Sequence, residues 1–286
     1  MRILVTGAAG LVGGGLATVL TRAGHTVVGT VREHEAAEGI DSRRVDLAEP
    51  GALAAVIASD DLDVVVHAAY STRDLERDVV SATHEVAATC AGRGIAMVHL
   101  STDAVFDGEA APYAEGDQPA PIHPYGDAKR RAEIEVELLV PDATVVRLGL
   151  VAHLEATTDL PRLDAATRWL ATACAARQPV ILFTDEVRAV IRLDDLVATL
   201  ARLVEVERAE RGGCWHLAGP EPMSRAQLGR LVIERLGLDD SAVRFDTAAT
   251  HGEPRPRDVS MTCRRAVERL SFAPRPVDTV TAHGSA

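Results

Sequence analysis

Through the first half of the chain, short apolar runs alternate with apolar positions at helical spacing. Ile3, Leu4 and Val5 form a continuous run, as expected of a central parallel strand covered on both faces. Leu16, Val19, Leu20 and Ala23 then repeat as one face of a helix, and Gly24 is placed to close it. The same reading predicts strands at residues 25–31, 45–47, 63–67, 95–100 and 143–148, with helices at 50–57, 74–91 and 125–139. Strands and helices alternating in this way imply a parallel sheet wound by right-handed crossovers. From about residue 151 the pattern loosens. A helix is expected at 162–177, strands at 180–183 and 187–191, a helix at 194–207 and a strand at 214–217. Ser224 and Gln227 make a capping box for a helix ending near Gly237.

The fold class expected is therefore α/β, a doubly wound parallel sheet of Rossmann type with a smaller, mostly helical C-terminal lobe. Residues 1–150 would form the dinucleotide-binding domain. Residues 151–273 would form the lobe, with some segments returning to the sheet, and residues 274–286 a flexible tail. At 286 residues with 47% hydrophobic content, the chain can bury a full core.

Three stretches carry candidate chemistry. The turn after the first strand holds Gly7, Gly10 and Gly13, which permits positive φ and a close approach of backbone to ligand. With Leu11 and Val12 opening the helix, this turn is a seat for a pyrophosphate on free N–H groups at a helix N-terminus. Glycines at 14 and 15 each cost a helix about 1 kcal/mol relative to alanine, which the seat or close helix packing would explain. Beyond the fifth strand lies Ser101-Thr-Asp-Ala-Val-Phe-Asp-Gly108, in a long loop reaching Pro124. Ser101 or Thr102 would bring a hydroxyl near a substrate carbonyl. Tyr125-Gly-Asp-Ala-Lys129 opens the next helix, so that the phenol and the ammonium share a face. An ammonium near a phenol favours the phenolate, and the pair is then suited to acid–base work. Lys129 can instead pair with Glu133 one turn later. His67 and His99 fall on buried strands and are expected as hydrogen-bonded core residues, and Asp194 and Asp195 as helix caps.

In this order and spacing, Thr6-Gly-Ala-Ala-Gly-Leu-Val-Gly13, Ser101–Gly108 and Tyr125–Lys129 resemble the extended short-chain dehydrogenase/reductases, and among them the dTDP-4-dehydrorhamnose reductase family. Phe183-Thr-Asp-Glu-Val-Arg188, Arg192-Leu-Asp-Asp-Leu196 and Arg255-Pro-Arg-Asp258 extend the likeness beyond residue 150. The resemblance implies reduction of a carbonyl by hydride from a nicotinamide. Tyr125 would be the proton donor, and Lys129 would lower its pKa and hold the nicotinamide ribose, while Thr102 polarises the carbonyl. Asp46 and Leu47 would border the adenine, and Ala68 and Ala69 would line the cofactor. Two departures concern the substrate. Ala104 stands where the family usually has tyrosine, and the loop at 149–155 lacks an expected tryptophan near the sugar nucleotide.

Charge decides the expected cofactor. An NAD site places an acid on the ribose 2′-OH near the end of the second strand, but here Val31 is followed by Arg32. A guanidinium suits a 2′-phosphate, so NADP(H) is expected over NAD(H). The formal charge of −12 argues against nucleic acid or an anionic membrane as partner. No apolar run approaches the roughly 20 residues of a bilayer span, and nothing before the first strand resembles a signal peptide, so none is expected. Four scattered cysteines form no Cys-x-x-Cys pair, and no cation loop is recognisable, so a cytoplasmic protein without a structural metal is expected. The reading leads to a small-molecule ketone as substrate, most simply the 4-keto group of a deoxysugar nucleotide. The assembly stays open, a homodimer included. Two alternatives remain: a cofactor-binding regulatory subunit resembling the β subunit of methionine adenosyltransferase, or an epimerase or dehydratase that retains NAD.

Overall fold

The structure, a computed structural model, describes residues 1–154, 163–252 and 254–278. Its strands are β1 Arg2–Thr6, β2 Thr26–Val31, β3 Asp41–Arg44, β4 Val64–His67, β5 Ala96–Thr102, β6 Thr144–Leu148, β7 Val151–Ala152, β8 Val180–Phe183, β9 Val187–Ala189, β10 Ile191–Arg192, β11 Gly213–Leu217, β12 Pro222–Ser224 and β13 Val243–Asp246. Its α-helices are α1 Leu11–Arg22, α2 Ala52–Val56, α3 Ala82–Arg93, α4 Pro124–Leu139, α5 Ala165–Ala175, α6 Leu193–Glu205, α7 Arg208–Arg211, α8 Arg225–Leu236 and α9 Arg264–Leu270.

Seven strands pair in the order β11-β6-β5-β4-β1-β2-β3, all parallel. Because side chains alternate across a strand, each strand feeds two cores. Ile3, Val5, Val64 and Val66 meet Leu16 and Leu20 of α1 and Leu196 and Leu200 of α6 on one face. Leu4, Val65 and Met97 meet Leu53 of α2, Val86 of α3 and Val136 of α4 on the other. Strand order reverses between β1 and β4, which opens a crevice at the carboxyl ends of the strands, where ligands of such sheets bind. β11 lies far along the sequence yet fills the outer position beside β6. After β6, three two-stranded ribbons join the helices, pairing β7 with β10, β9 with β12 and β8 with β13. A separate apolar cluster gathers Leu170, Leu182, Leu228, Val232 and Val243 there.

Several expected elements move. The third strand is β3, four residues earlier than residues 45–47. Its sequence, Asp-Ser-Arg-Arg, carries no apolar signal because it is an edge strand. Val45 still donates its N–H to the Val31 carbonyl at 2.9 Å, and Asp46 and Leu47 leave the sheet after it. The helix expected at 74–91 starts as a π-helical turn, Glu76–Ser81, before α3. β5 runs on through Thr102. The single strand expected at 187–191 is two, β9 and β10, with different partners. Arg162, the expected start of the next helix, lies outside the described residues, and α5 spans Ala165–Ala175 with Asp164 as its cap. Asp194 and Asp195 are in the first turn of α6 and do not cap it, since Arg192 occupies the cap position. Arg192 and Arg275 bind these carboxylates. Residues 274–278, expected in the tail, hold to the protein through Arg275 and the buried Val277. Residues 279–286 of that expected tail are outside the described residues.

Candidate active site

A cleft of about 850 Å³ opens at the crevice, and every expected site residue lines it: Gly7, Gly10, Leu11, Val12, Gly13, Arg32, Asp46, Leu47, Ala68, Ala69, Thr102, Tyr125 and Lys129. The glycine turn explains one wall. Gly7 has φ +69°, and a Cβ on Gly13 would lie 2.4 Å from the Gly7 carbonyl oxygen, so α1 can start against the end of β1 only with glycine there. Gly10 caps α1 without a side-chain hydrogen bond, leaving the first-turn N–H groups open to an anion. These features fit a dinucleotide pyrophosphate.

The adjacent wall is held by a buried hydroxyl. Thr6 accepts the N–H groups of Ala68 and Ala69, each at 3.1 Å, and its Oγ1 lies 2.8 Å from Nδ1 of His67. The other nitrogen of His67 lies 3.1 Å from Thr83. His67 and His99 are therefore core residues, as their strands required.

The third wall depends on how α4 meets β5. His123 accepts the Tyr125 N–H at 3.2 Å and Pro124 supplies the first helical residue. A Cβ on Gly126 would lie 2.0 Å from the Ala104 carbonyl oxygen, so this glycine lets the start of α4 rest on the segment leaving β5. Deeper in α4, Glu133 is fully buried. It accepts from Ser101 at 2.5 Å, from Arg147 at 3.1 and 3.0 Å, and from Arg130 at 2.9 Å. Burial opposes its ionisation, but Arg147, Ser101 and Arg130 together hold its carboxyl below the usual range. Ser101 is thereby committed to the core. Thr102 accepts the Ala104 N–H at 3.2 Å and reaches the cleft.

Lys129 does not pair with Glu133 through a salt bridge. Its ammonium donates to the Leu100 carbonyl at 2.6 Å and lies 3.4 Å from Nε2 of His99. Burial lowers its pKa to about 8. The expected lowering at Tyr125 is reversed, because burial, then Tyr70, then Asp103 raise the phenol above its ordinary value against the opposing Thr102 hydrogen bond.

Arg32 lies at the cleft with its guanidinium 2.8 Å from Asp78 and 3.7 Å from Glu33. Asp46 receives Arg77 at 2.8 Å, and Leu47 is buried. The sequence did not single out Tyr70, whose ring centroid is 5.9 Å from that of Tyr125, nor Asp78, Asp103, Arg168 and Arg225 among the lining residues. Tyr70 directly follows the Ala68-Ala69 pair, which was the available signal. Asp103 lies within the Ser101–Gly108 stretch and Arg225 beside the Ser224 cap, where neither was given a role of its own, and Asp78 and Arg168 come from segments with no local motif.

The family model described as the RmlD substrate binding domain matches residues 1–283. The chain belongs to that family. Most of its relatives are named as reductases, and one, the β subunit of methionine adenosyltransferase 2 of Danio rerio, is 27% identical over 286 residues, covering 92% of this chain and 83% of the relative. A probable low-salt glycan biosynthesis reductase, Agl14 of Haloferax volcanii, is 32% identical over 269 residues, covering 90% of this chain and 88% of the relative. The dTDP-4-dehydrorhamnose reductase of Mycolicibacterium smegmatis is 30% identical over 266 residues, covering 90% and 76%. A solved hypothetical dTDP-4-dehydrorhamnose reductase from Sulfolobus tokodaii superposes with a TM-score of 0.77 at 26% identity, covering 95% and 96% of the two chains. No helix among the described residues is long and apolar enough to cross a membrane.

Proposed function

We propose that the protein is a cytoplasmic, NADPH-dependent ketoreductase acting on the 4-keto group of a deoxysugar nucleotide. The observation that carries this reading is the meeting of Thr102, Tyr125 and Lys129 in the cleft walled by the Gly7–Gly13 turn. The nicotinamide, when bound, supplies the hydride. The chain's own residues then have separable tasks. A phenol whose pKa is raised stays protonated at neutral pH, as a reduction requires of the group that protonates the nascent alkoxide. The Thr102 hydroxyl, whose hydrogen is directed to Asp103 at 3.3 Å, would turn to donate to the carbonyl oxygen, and the Lys129 ammonium holds positive charge at the cleft. Arg168 and Arg225 also line the cleft and offer guanidinium groups to an anionic substrate, in a protein otherwise acidic. Two relatives whose names denote sugar reductases support the substrate class.

Support for NADPH comes from Arg32 at the cleft and from Val31, an apolar residue at the end of β2 where an NAD site would carry its acid, with Glu33 two residues further on also lining the cleft. Arg32 must be shared with Asp78, so a 2′-phosphate would compete with that pair. Comparable kcat/KM with NADH and NADPH would refute the preference. The central test is NADPH oxidation with a panel of 4-keto nucleotide sugars and simple ketones. Tyr125→Phe should lower kcat by about 10²- to 10⁴-fold, the usual contribution of a positioned acid, while NADPH still binds. Wild-type turnover in that variant would remove Tyr125 from the mechanism. Tightly held NAD after purification would point to an epimerase or dehydratase. A stoichiometric protein partner with no ketone reduction would point to a regulatory subunit.

A further inference from the structure

We propose that His99 is a positioning residue for the reaction, a neutral acceptor that holds the Lys129 ammonium in the floor of the cleft. The inference rests on the role given to Lys129 above. Lys129 is 3% exposed, and its ammonium has hydrogen-bond contacts with the Leu100 carbonyl at 2.6 Å and His99 Nε2 at 3.4 Å. An ammonium has donors only, so Nε2 of His99 must present its lone pair, and the ring proton must sit on Nδ1. Nδ1 is buried and has no hydrogen-bond partner in the described structure. The opposite tautomer would set N–H against N–H at Lys129, and an imidazolium would set two buried cations side by side. The ring's protonation state is therefore dictated by the lysine it serves.

Among the described residues, no carboxylate is hydrogen-bonded to this ammonium. From β4, His67 presents its ring to His99, with centroids 5.4 Å apart. From α4 itself come Tyr125 and Glu133, but the Glu133 carboxylate is taken by Arg147, Arg130 and Ser101. Two of the three ammonium hydrogens are thus directed into the sheet by neutral acceptors on β5. The third is left for the cleft, which Lys129 lines.

Removing an acceptor disfavours the charged form of Lys129, whose pKa burial has already brought to about 8. In His99→Leu, the alkaline limbs of both NADPH binding and kcat/KM should therefore move to lower pH by about one unit, a tenfold change in the protonation equilibrium. His99→Gln, whose side-chain oxygen can replace Nε2 as acceptor, should restore the limb to its wild-type position. NADPH fluorescence titrations across pH read the binding limb without turnover, and melting curves at each pH confirm that the variants are folded. A folded His99→Leu with wild-type limbs overturns the proposal, as does His99→Gln that is as displaced as the leucine variant. Imidazole nitrogen NMR on the wild-type protein tests the same point without any substitution. A proton on Nδ1 supports the proposal, and a proton on Nε2 or a charged ring overturns it. Lys129→Met separates the two levels of reasoning. Loss of activity there beside a silent His99→Leu refutes the positioning role alone, whereas full activity in Lys129→Met refutes the reading of the lysine itself.

Discussion

Acidification should destabilise this protein well above the range where carboxylates titrate, and His67 is a principal reason. The Thr6 hydroxyl oxygen accepts from both Ala68 and Ala69, so its hydrogen goes to Nδ1 of His67, and the imidazole proton must lie on Nε2, facing Thr83. A second proton on the ring would oppose the Thr6 hydrogen. Burial first, and the Lys129 charge second, lower the His67 pKa from 6.5 to about 3. Between those values the unfolded chain takes up a proton that the native protein refuses, so stability falls as pH drops through about 6.5 and rises with pH across the window. Linkage with these two pKa values gives a loss of about 2 kcal/mol on going from about pH 8 to about pH 5. His67→Asn keeps an acceptor for Thr6 but cannot titrate. It should cost about 1–3 kcal/mol at the higher pH through the lost Thr83 bond and ring packing, yet flatten the pH dependence by about 2 kcal/mol. His99, lowered in the same direction, continues to contribute in both proteins. Urea unfolding of wild type and variant at several pH values measures the difference directly. Parallel stability curves across the window would show that His67 is not held neutral in the native state.

Two further substitutions probe the walls of the cleft. Gly13→Ala would gain about 1 kcal/mol of helix propensity but lose about 1–3 kcal/mol to a Cβ pressed against the Gly7 backbone. Since the turn must shift to relieve that contact, NADPH affinity should fall by about tenfold or more, as fluorescence titration would report, and unchanged affinity would exclude the turn as the phosphate seat. Glu133→Gln leaves Arg147 buried without its counter-ion and should lower unfolding stability by about 3–5 kcal/mol. A loss below about 1 kcal/mol in denaturant unfolding would mean that the ion pair contributes little to fixing α4 on the sheet.

The sheet was legible in the sequence wherever both faces of a strand are buried. Ile3–Val5 and Val64–Val66 announce themselves by unbroken apolar runs, and Ala96–Leu100 by an apolar run interrupted only at His99, since each apolar residue must satisfy one core or the other. β3 was misplaced for the opposite reason. An edge strand needs few apolar side chains, and the stronger local signal at Val45 and Leu47 belongs to packing just beyond the strand. Nor does periodicity distinguish one strand at 187–191 from two consecutive strands with separate partners, because partner choice is set by the distant segments β7 and β12.

The residues expected at the site all line one cleft, but their electrostatic relation was not legible in the sequence. A spacing of four places Tyr125 and Lys129 on one helical face, and from that alone an ammonium beside a phenol follows. What the spacing omits is the surface under that face. The Leu100 carbonyl and His99 lie there, and they draw the ammonium into the sheet, while the phenol is desolvated in the cleft and faces Tyr70. The largest cause of both shifts is desolvation, which raises an acid whose ionised form is an anion and lowers one whose ionised form is a cation, and at Tyr125 the neighbouring Tyr70 and Asp103 add to it. The result is a protonated phenol and a lysine with a pKa lowered to about 8, both lining the cleft. The proton donation proposed for Tyr125 would use that state, which arises from how α4 is pressed against β5 more than from the four-residue interval between the two side chains.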